Sequence, residues 1–139
     1  MNFSQRKFIF HIEDDEDDRS MLKEAVGKLD PTIEVWSASN GQESLEVLLQ
    51  FSLLKTLPAL IVLDLNLPGM DGKRVLMELQ QQPALSGVPL VIFTTSASAL
   101  DQLFAQKHNV KMFTKPSNEA EFYGAVKDLL ETVLKLNNY

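Results

Sequence analysis

Five short runs of apolar, β-forming residues alternate with five segments of helical periodicity, and this alternation constrains the fold more than any other feature of the chain. The runs are Phe8 to Ile12, Ile33 to Trp36, Leu60 to Leu63, Leu90 to Phe93 and Val110 to Phe113. The third and fourth are almost uninterrupted, as in parallel strands buried on both faces. Helical spacing fills the intervals. Met21, Leu22, Ala25, Val26 and Leu29 recur at three and four residues, as do Leu45, Leu48 and Leu49, and Val75, Leu76 and Leu79. Leu100, Leu103 and Phe104 form a shorter stripe, and Phe122, Val126, Leu129, Leu130 and Val133 a long one. Each stripe is expected to face the core.

The boundaries carry matching chemistry. Asn40-Gly41 marks the turn into the second helix, and Pro58 ends the loop after it. Pro68-Gly69 and Gly72 bound a tight loop before the third helix, which Pro83 closes. Ser117 or Asn118 serves as N-cap of the fifth, with Glu121 placed for a capping box if Asn118 takes the position. Strand-helix alternation argues for a parallel sheet covered by helices on both faces. Right-handed crossovers reduce the topologies to a few. The common solution for five strands is the α/β, flavodoxin-like doubly wound (βα)5 sandwich with strand order 2-1-3-4-5.

The chain of 139 residues suits one domain, expected over 1–139 with a core of about 7–136. At 45% hydrophobic and 23% charged residues it can build an ordinary core, and no apolar run reaches the roughly 20 residues that span a bilayer. Lack of cysteine removes disulfides, thiolate metal sites and thiol nucleophiles, and fits a cytoplasmic location. A net charge of -6 without a basic run argues against nucleic-acid binding.

In a 2-1-3-4-5 sheet, ligands bind beyond the carboxyl ends of the strands where the order reverses, between the first and third. Glu13 and Asp14 follow the first strand, Asp64 the third, Thr94 and Thr95 the fourth, and Lys115 lies just past the fifth. Three carboxylates brought together repel and raise at least one pKa unless a cation intervenes. Mg2+ takes oxygen ligands and retains several waters, so one or two direct carboxylates suffice. Asp14 and Asp64 are the natural direct ligands, the longer Glu13 can hold a water on the ion, and the backbone carbonyl of Asn66 is a further candidate. With a cation present, Asp64 could attack a phosphoryl group while Lys115 and Thr94 contact its oxygens.

These residues closely resemble the response regulator receiver family from about Lys7 to Leu136. The motifs are Ile12-Glu13-Asp14-Asp15, the stretch from Leu60 through Asp64 to Gly72 (LIVLDLNLPGMDG), Val91 to Thr95 (VIFTT), and Thr114-Lys115-Pro116. The resemblance implies that Asp64 accepts phosphate from a sensor histidine kinase or phosphotransfer protein. Glu13 and Asp14 match the acidic pair that holds Mg2+, Thr94 the switch hydroxyl, and Lys115 the phosphoryl-contacting lysine. It further implies a cis Lys115-Pro116 bond. The family's switch aromatic is replaced by Met112, with Phe113 beside it, and the stretch from Thr94 to Lys115 is about one residue short. Local change around the fourth helix is therefore expected. Thr94-Thr95-Ser96 resembles single-domain regulators partnered with phytochrome-type kinases. Output is expected through a downstream protein partner or phosphorelay at the face of the fourth helix, fifth strand and fifth helix. Homodimerisation is compatible with the long fifth helix.

Plainer readings compete at several positions. Asp17 and Asp18, in the acidic run 13–18, are expected on a solvated face. His11 is expected to be a hydrogen-bonded strand residue, His108 a surface residue, and Trp36 a cover for a helix rather than a partner surface. Ser96 reads as a loop or cap residue. The run is not a calcium loop, since Arg19 and Ala25 stand where Gly and Glu are needed. A haloacid-dehalogenase-like, Mg2+-dependent phosphatase is the alternative function, but it needs an aspartate two residues after the nucleophile, where this chain has Asn66. An FMN carrier would want a Ser/Thr/Gly phosphate loop where this chain has six acids.

Overall fold

The computed structural model describes residues 7–95 and 98–134. Its elements alternate as β1 (Phe8–Ile12), α1 (Glu16–Leu29), β2 (Glu34–Ala38), α2 (Gly41–Leu53), β3 (Leu60–Leu63), α3 (Gly72–Gln80), β4 (Leu90–Thr94), α4 (Ala99–Lys107), β5 (Lys111–Thr114) and α5 (Glu119–Val133). A 3-10 turn, Pro83–Leu85, follows α3. All strand pairs are parallel in the order β2-β1-β3-β4-β5, as expected for the doubly wound sandwich. Among the described residues no helix is long and apolar enough to cross a membrane.

Alternation along each strand divides the interior into two apolar layers. Ile9, Val62, Val91 and Phe93 pack with Leu22, Val26, Phe122, Val126 and Leu129 of α1 and α5. Phe10, Ile12, Ile61, Leu63 and Ile92 pack on the other face with Leu48, Val75, Leu76 and Leu79. At about 25 cal/mol per Å² of apolar surface, such two-sided burial is the main favourable contribution to folding. The caps hold the helix starts: Asn40 accepts from the Glu43 amide at 2.8 Å and Asn118 from the Glu121 amide at 2.9 Å.

Two stripes differ from expectation. In α2, Leu48 is buried but Leu49 is 39% exposed, because the inward stripe runs through Gly41, Ser44 and Leu48. Ser44 tolerates burial by donating to the Gly41 carbonyl at 2.7 Å. In α4 the phase is shifted further. Leu100 and Leu103 are 73% and 60% exposed, whereas Ala105 is buried. The inward side of α4 is Asp101, Phe104, Ala105 and His108, a correct helical spacing with polar ends. Those ends find partners on α3: Lys73 meets Asp101 at 2.9 Å and Gln80 donates to the His108 carbonyl at 3.0 Å. Satisfied polar groups thus set the phase that apolar periodicity alone assigned to the leucines.

The Lys115-Pro116 bond is trans, not cis, as every described peptide bond is. The trans isomer is the lower-energy form of an X-Pro bond by about 0.5–1 kcal/mol, and the chain turns into α5 without leaving it. Trp36 lies edge-on to Phe8 and to Phe51 of α2 at 6.2 and 6.4 Å, so it does cover a helix, although half its surface stays open.

Candidate phosphoryl and metal site

Backbone hydrogen bonds extend the sheet past its strand ends and fix the residues beyond them. The Glu13 amide donates to Ala38 (3.0 Å), the Asp64 amide to Ile12 (3.1 Å) and the Lys115 amide to Thr94 (2.8 Å). The loop after Asp64 is held by close backbone approach. A Cβ at Gly72 would lie 2.5 Å from Leu65 Cα and 2.7 Å from the Asp64 carbonyl oxygen, so only glycine fits. Asp15 caps α1, accepting from the Asp17 and Asp18 amides at 2.9 and 3.4 Å. Arg19 ties the same turn down by donating to the Glu13 carbonyl at 2.9 Å.

Lys115, buried although charged, is the centre of the cluster. Its Nζ donates to Glu13 Oε1 at 2.7 Å, Asp18 Oδ2 at 2.6 Å and Asp64 Oδ2 at 3.1 Å. The other Asp64 oxygen, Oδ1, accepts from the Thr94 hydroxyl and from the Asn66 amide, both at 3.0 Å. The Asn66 side chain donates in turn to Thr94 Oγ1 at 3.4 Å. Every oxygen of Asp64 is therefore aimed by a donor from another part of the chain, which holds the carboxylate in one orientation.

Burial lifts the Glu13 carboxyl to about 7, with the neighbouring Asp64 charge adding to the rise and Lys115 opposing it. Burial alone would lower the Lys115 ammonium, but the hydrogen bonds to Asp18 and Glu13 outweigh it and hold the group above its ordinary range. The lysine stays a cation and Glu13 is the reluctant anion. Glu13, Asp14 and Asp64 each present a carboxylate oxygen within 4.8 Å of the others. That all-oxygen donor set, with Asp14 exposed at its mouth, fits a hard divalent cation that keeps part of its water shell.

The residues singled out in the sequence thus meet: Glu13, Asp14, Asp64, Thr94 and Lys115 form one cluster, and Asn66 borders it. Thr95 is exposed beside Thr94, and Ser96 lies outside the described residues. Met112 is half-buried against the α2–α4 layer, while Phe113 packs on the α1–α5 layer. Besides the Lys115-Pro116 isomer, two further readings at the site fail, one in the acidic run and one in β1. Asp18 is not a solvated acid but a Lys115 partner with its side chain only 18% exposed, whereas Asp17 is exposed. No local signal marks it, because the rotation of α1 that aims Asp18 at Lys115 is set by packing against α5. His11 is a buried strand residue, but its side chain makes no hydrogen bond: neither ring nitrogen has a partner. His108, by contrast, contacts Gln80 Oε1 at 3.2 Å through Nδ1.

Residues 9–127 match the model of the response regulator receiver domain. The response regulator Rcp1 of Synechocystis is 31% identical over 134 residues, covering 91% of each chain. Among solved structures, that of the phosphorylated cyanobacterial phytochrome response regulator RcpA superposes with a TM-score of 0.86 at 32% identity, covering 96% of this chain and 97% of that one. The Mn2+-bound form of Rcp1 superposes at 0.82 with 29% identity, covering 95% and 97%.

Proposed function

The chain belongs to the response regulator receiver family of two-component signalling proteins, and from that premise we propose that Asp64 is its phospho-acceptor, working with Mg2+ held by Glu13, Asp14, Asp64 and the Asn66 carbonyl. One observation carries the reading: Lys115 Nζ and the Thr94 hydroxyl engage opposite oxygens of the same strand-end carboxylate. Attack by an Asp64 oxygen on phosphorus forms the P–O bond of an acyl phosphate. The P–N bond of a phosphohistidine donor breaks, and its electron pair leaves with the donor imidazole, which takes up a proton. Mg2+ supplies charge neutralisation for the transferred group. Lys115 turns from Asp64 to a phosphoryl oxygen, and Thr94 donates to another. The donor is a sensor histidine kinase or phosphotransfer protein, and the product signals through a protein partner, an onward phosphorelay or a homodimer. The metal and the phosphoryl group named for the Rcp1 and RcpA structures agree with this assignment. Nothing in the site favours the phosphatase alternative, since Asn66 offers a carboxamide where an acid/base is required.

The test is incubation with acetyl phosphate or a phosphohistidine donor and Mg2+, followed by intact-mass and peptide analysis. The expected result is one acid-stable, base-labile phosphoryl group on Asp64, lost in Asp64→Asn and on chelation. A wild type unlabelled by both donors, or equal labelling of Asp64→Asn, overturns the reading.

A further inference from the structure

His11 is the anomaly of the interior. Its side chain is buried in the middle of the sheet, opposite Ser37 of β2 and Val62 of β3, and both ring nitrogens lack hydrogen-bond partners. No other buried side-chain polar atom among the described residues is left unmatched. An unmatched buried donor is costly and is resolved in nature by a partner, a water or a change of state. Burial, aided by the Lys115 charge, lowers its pKa to about 3, so the ring is neutral and one nitrogen carries a proton.

Glu13 Oε1 lies 4.0 Å from His11 Nε2, just beyond hydrogen-bond range, and is at present served by Lys115 at 2.7 Å. If Lys115 turns to a phosphoryl oxygen, as the acceptor reading of Asp64 requires, Oε1 loses that donor inside a buried site. The Asp15 amide remains on Oε2 at 3.1 Å and does not serve Oε1. An approach of about 1 Å between imidazole and carboxylate would give the Nε2–H an acceptor and Oε1 a donor. We propose that His11 is a positioning residue that takes over the Glu13 hydrogen bond from Lys115, through Nε2–H, when Asp64 is phosphorylated. The imidazole thereby lowers the cost of releasing the lysine and keeps Glu13 oriented.

This inference rests on the phospho-acceptor reading, and beryllofluoride, which mimics an acyl phosphate on a carboxylate, separates the two. Histidine-15N NMR of the full chain is recorded with Mg2+ before and after beryllofluoride. The His11 Nε2–H signal is expected to move downfield and exchange more slowly only in the complex. His11→Leu, which keeps the volume and removes the donor, is expected to bind beryllofluoride about tenfold more weakly, near the lower bound for a hydrogen bond to a charged group. His11→Gln, which restores an amide donor, is expected to recover most of that loss, a rescue that simple packing would not produce. Uptake of beryllofluoride with an unmoved His11 resonance overturns the proposal alone, as does wild-type affinity in His11→Leu. A wild type that takes up no beryllofluoride overturns it together with the acceptor reading.

Discussion

The corner built by β1, α1 and β3 and the corner built by β4, α4 and β5 share one architecture and differ in how they are held. In the first, α1 buries Leu22, Ala25 and Val26 against α5 and the sheet, and its opening turn delivers Asp18 to Lys115. In the second, α4 buries only Ala105 fully and turns Leu100 and Leu103 outwards. Its ties are polar contacts to α3, the Lys73–Asp101 pair and the Gln80–His108 bonds, with Lys73 also 5.4 Å over the Phe104 ring. Under the acceptor role proposed for Asp64, that carboxylate would need a fixed surround, and a segment reporting on it would need a small free-energy gap between arrangements. The apolar stripe of α1 and the polar-ended one of α4 are suited to those two demands.

The largest effect should come from intruding on the rigid corner. Gly72→Ala places a methyl group against the Leu65 and Asp64 backbone, and is expected to cost about 3 kcal/mol in urea unfolding and to displace Asp64, reducing phosphoryl labelling as well. Wild-type stability in that variant would show that the loop yields and that the corner is less rigid than its contacts imply.

The electrostatics of the same corner give the next effect. The Glu13 carboxyl sits at about 7 against an ordinary 4.5, so a bound Mg2+ displaces a proton at lower pH. Mg2+ affinity, read by calorimetry, is expected to fall as pH drops below about 7, by up to tenfold per unit. The sign for folding is the reverse in the metal-free protein. A carboxyl whose folded pKa is raised contributes stability that is full below about 4.5 and lost as pH rises through about 7. His11, lowered from 6.5 to about 3, contributes stability present above 6.5 and lost as pH falls towards 3. Between 4.5 and 6.5 the two slopes oppose, so the Glu13 loss shows most clearly just above that window and is reversed by added Mg2+.

Smaller effects belong to the second corner. Lys73→Met removes the ion pair that lowers the Asp101 pKa, and is expected to cost about 0.5–1 kcal/mol while raising amide exchange in α4. Unchanged exchange would mean that Phe104 and Ala105 hold the helix without it. Leu100→Ala, at a site 73% exposed, is expected to change stability by less than about 0.5 kcal/mol. A larger loss would show that the leucine packs in solution.

Much of this molecule follows from local sequence. Strand runs, helix periods and caps at Asn40 and Asn118 each depend on residues a few positions apart, and these decided the (βα)5 order and hence the edge where Asp64 and Lys115 emerge. Three features depended on the packed structure. Asp18 reaches Lys115 across 97 residues, and the rotation of α1 that aims it is set by packing against α5. The phase of α4 follows from partners on α3, because a period identifies a stripe but not the side on which its hydrogen bonds can be met. His11 looks like any polar residue in a strand. Its lack of partners appears only when β2, β3 and the helices above them close over the imidazole, because being unmatched is a property of the surroundings and not of the residue.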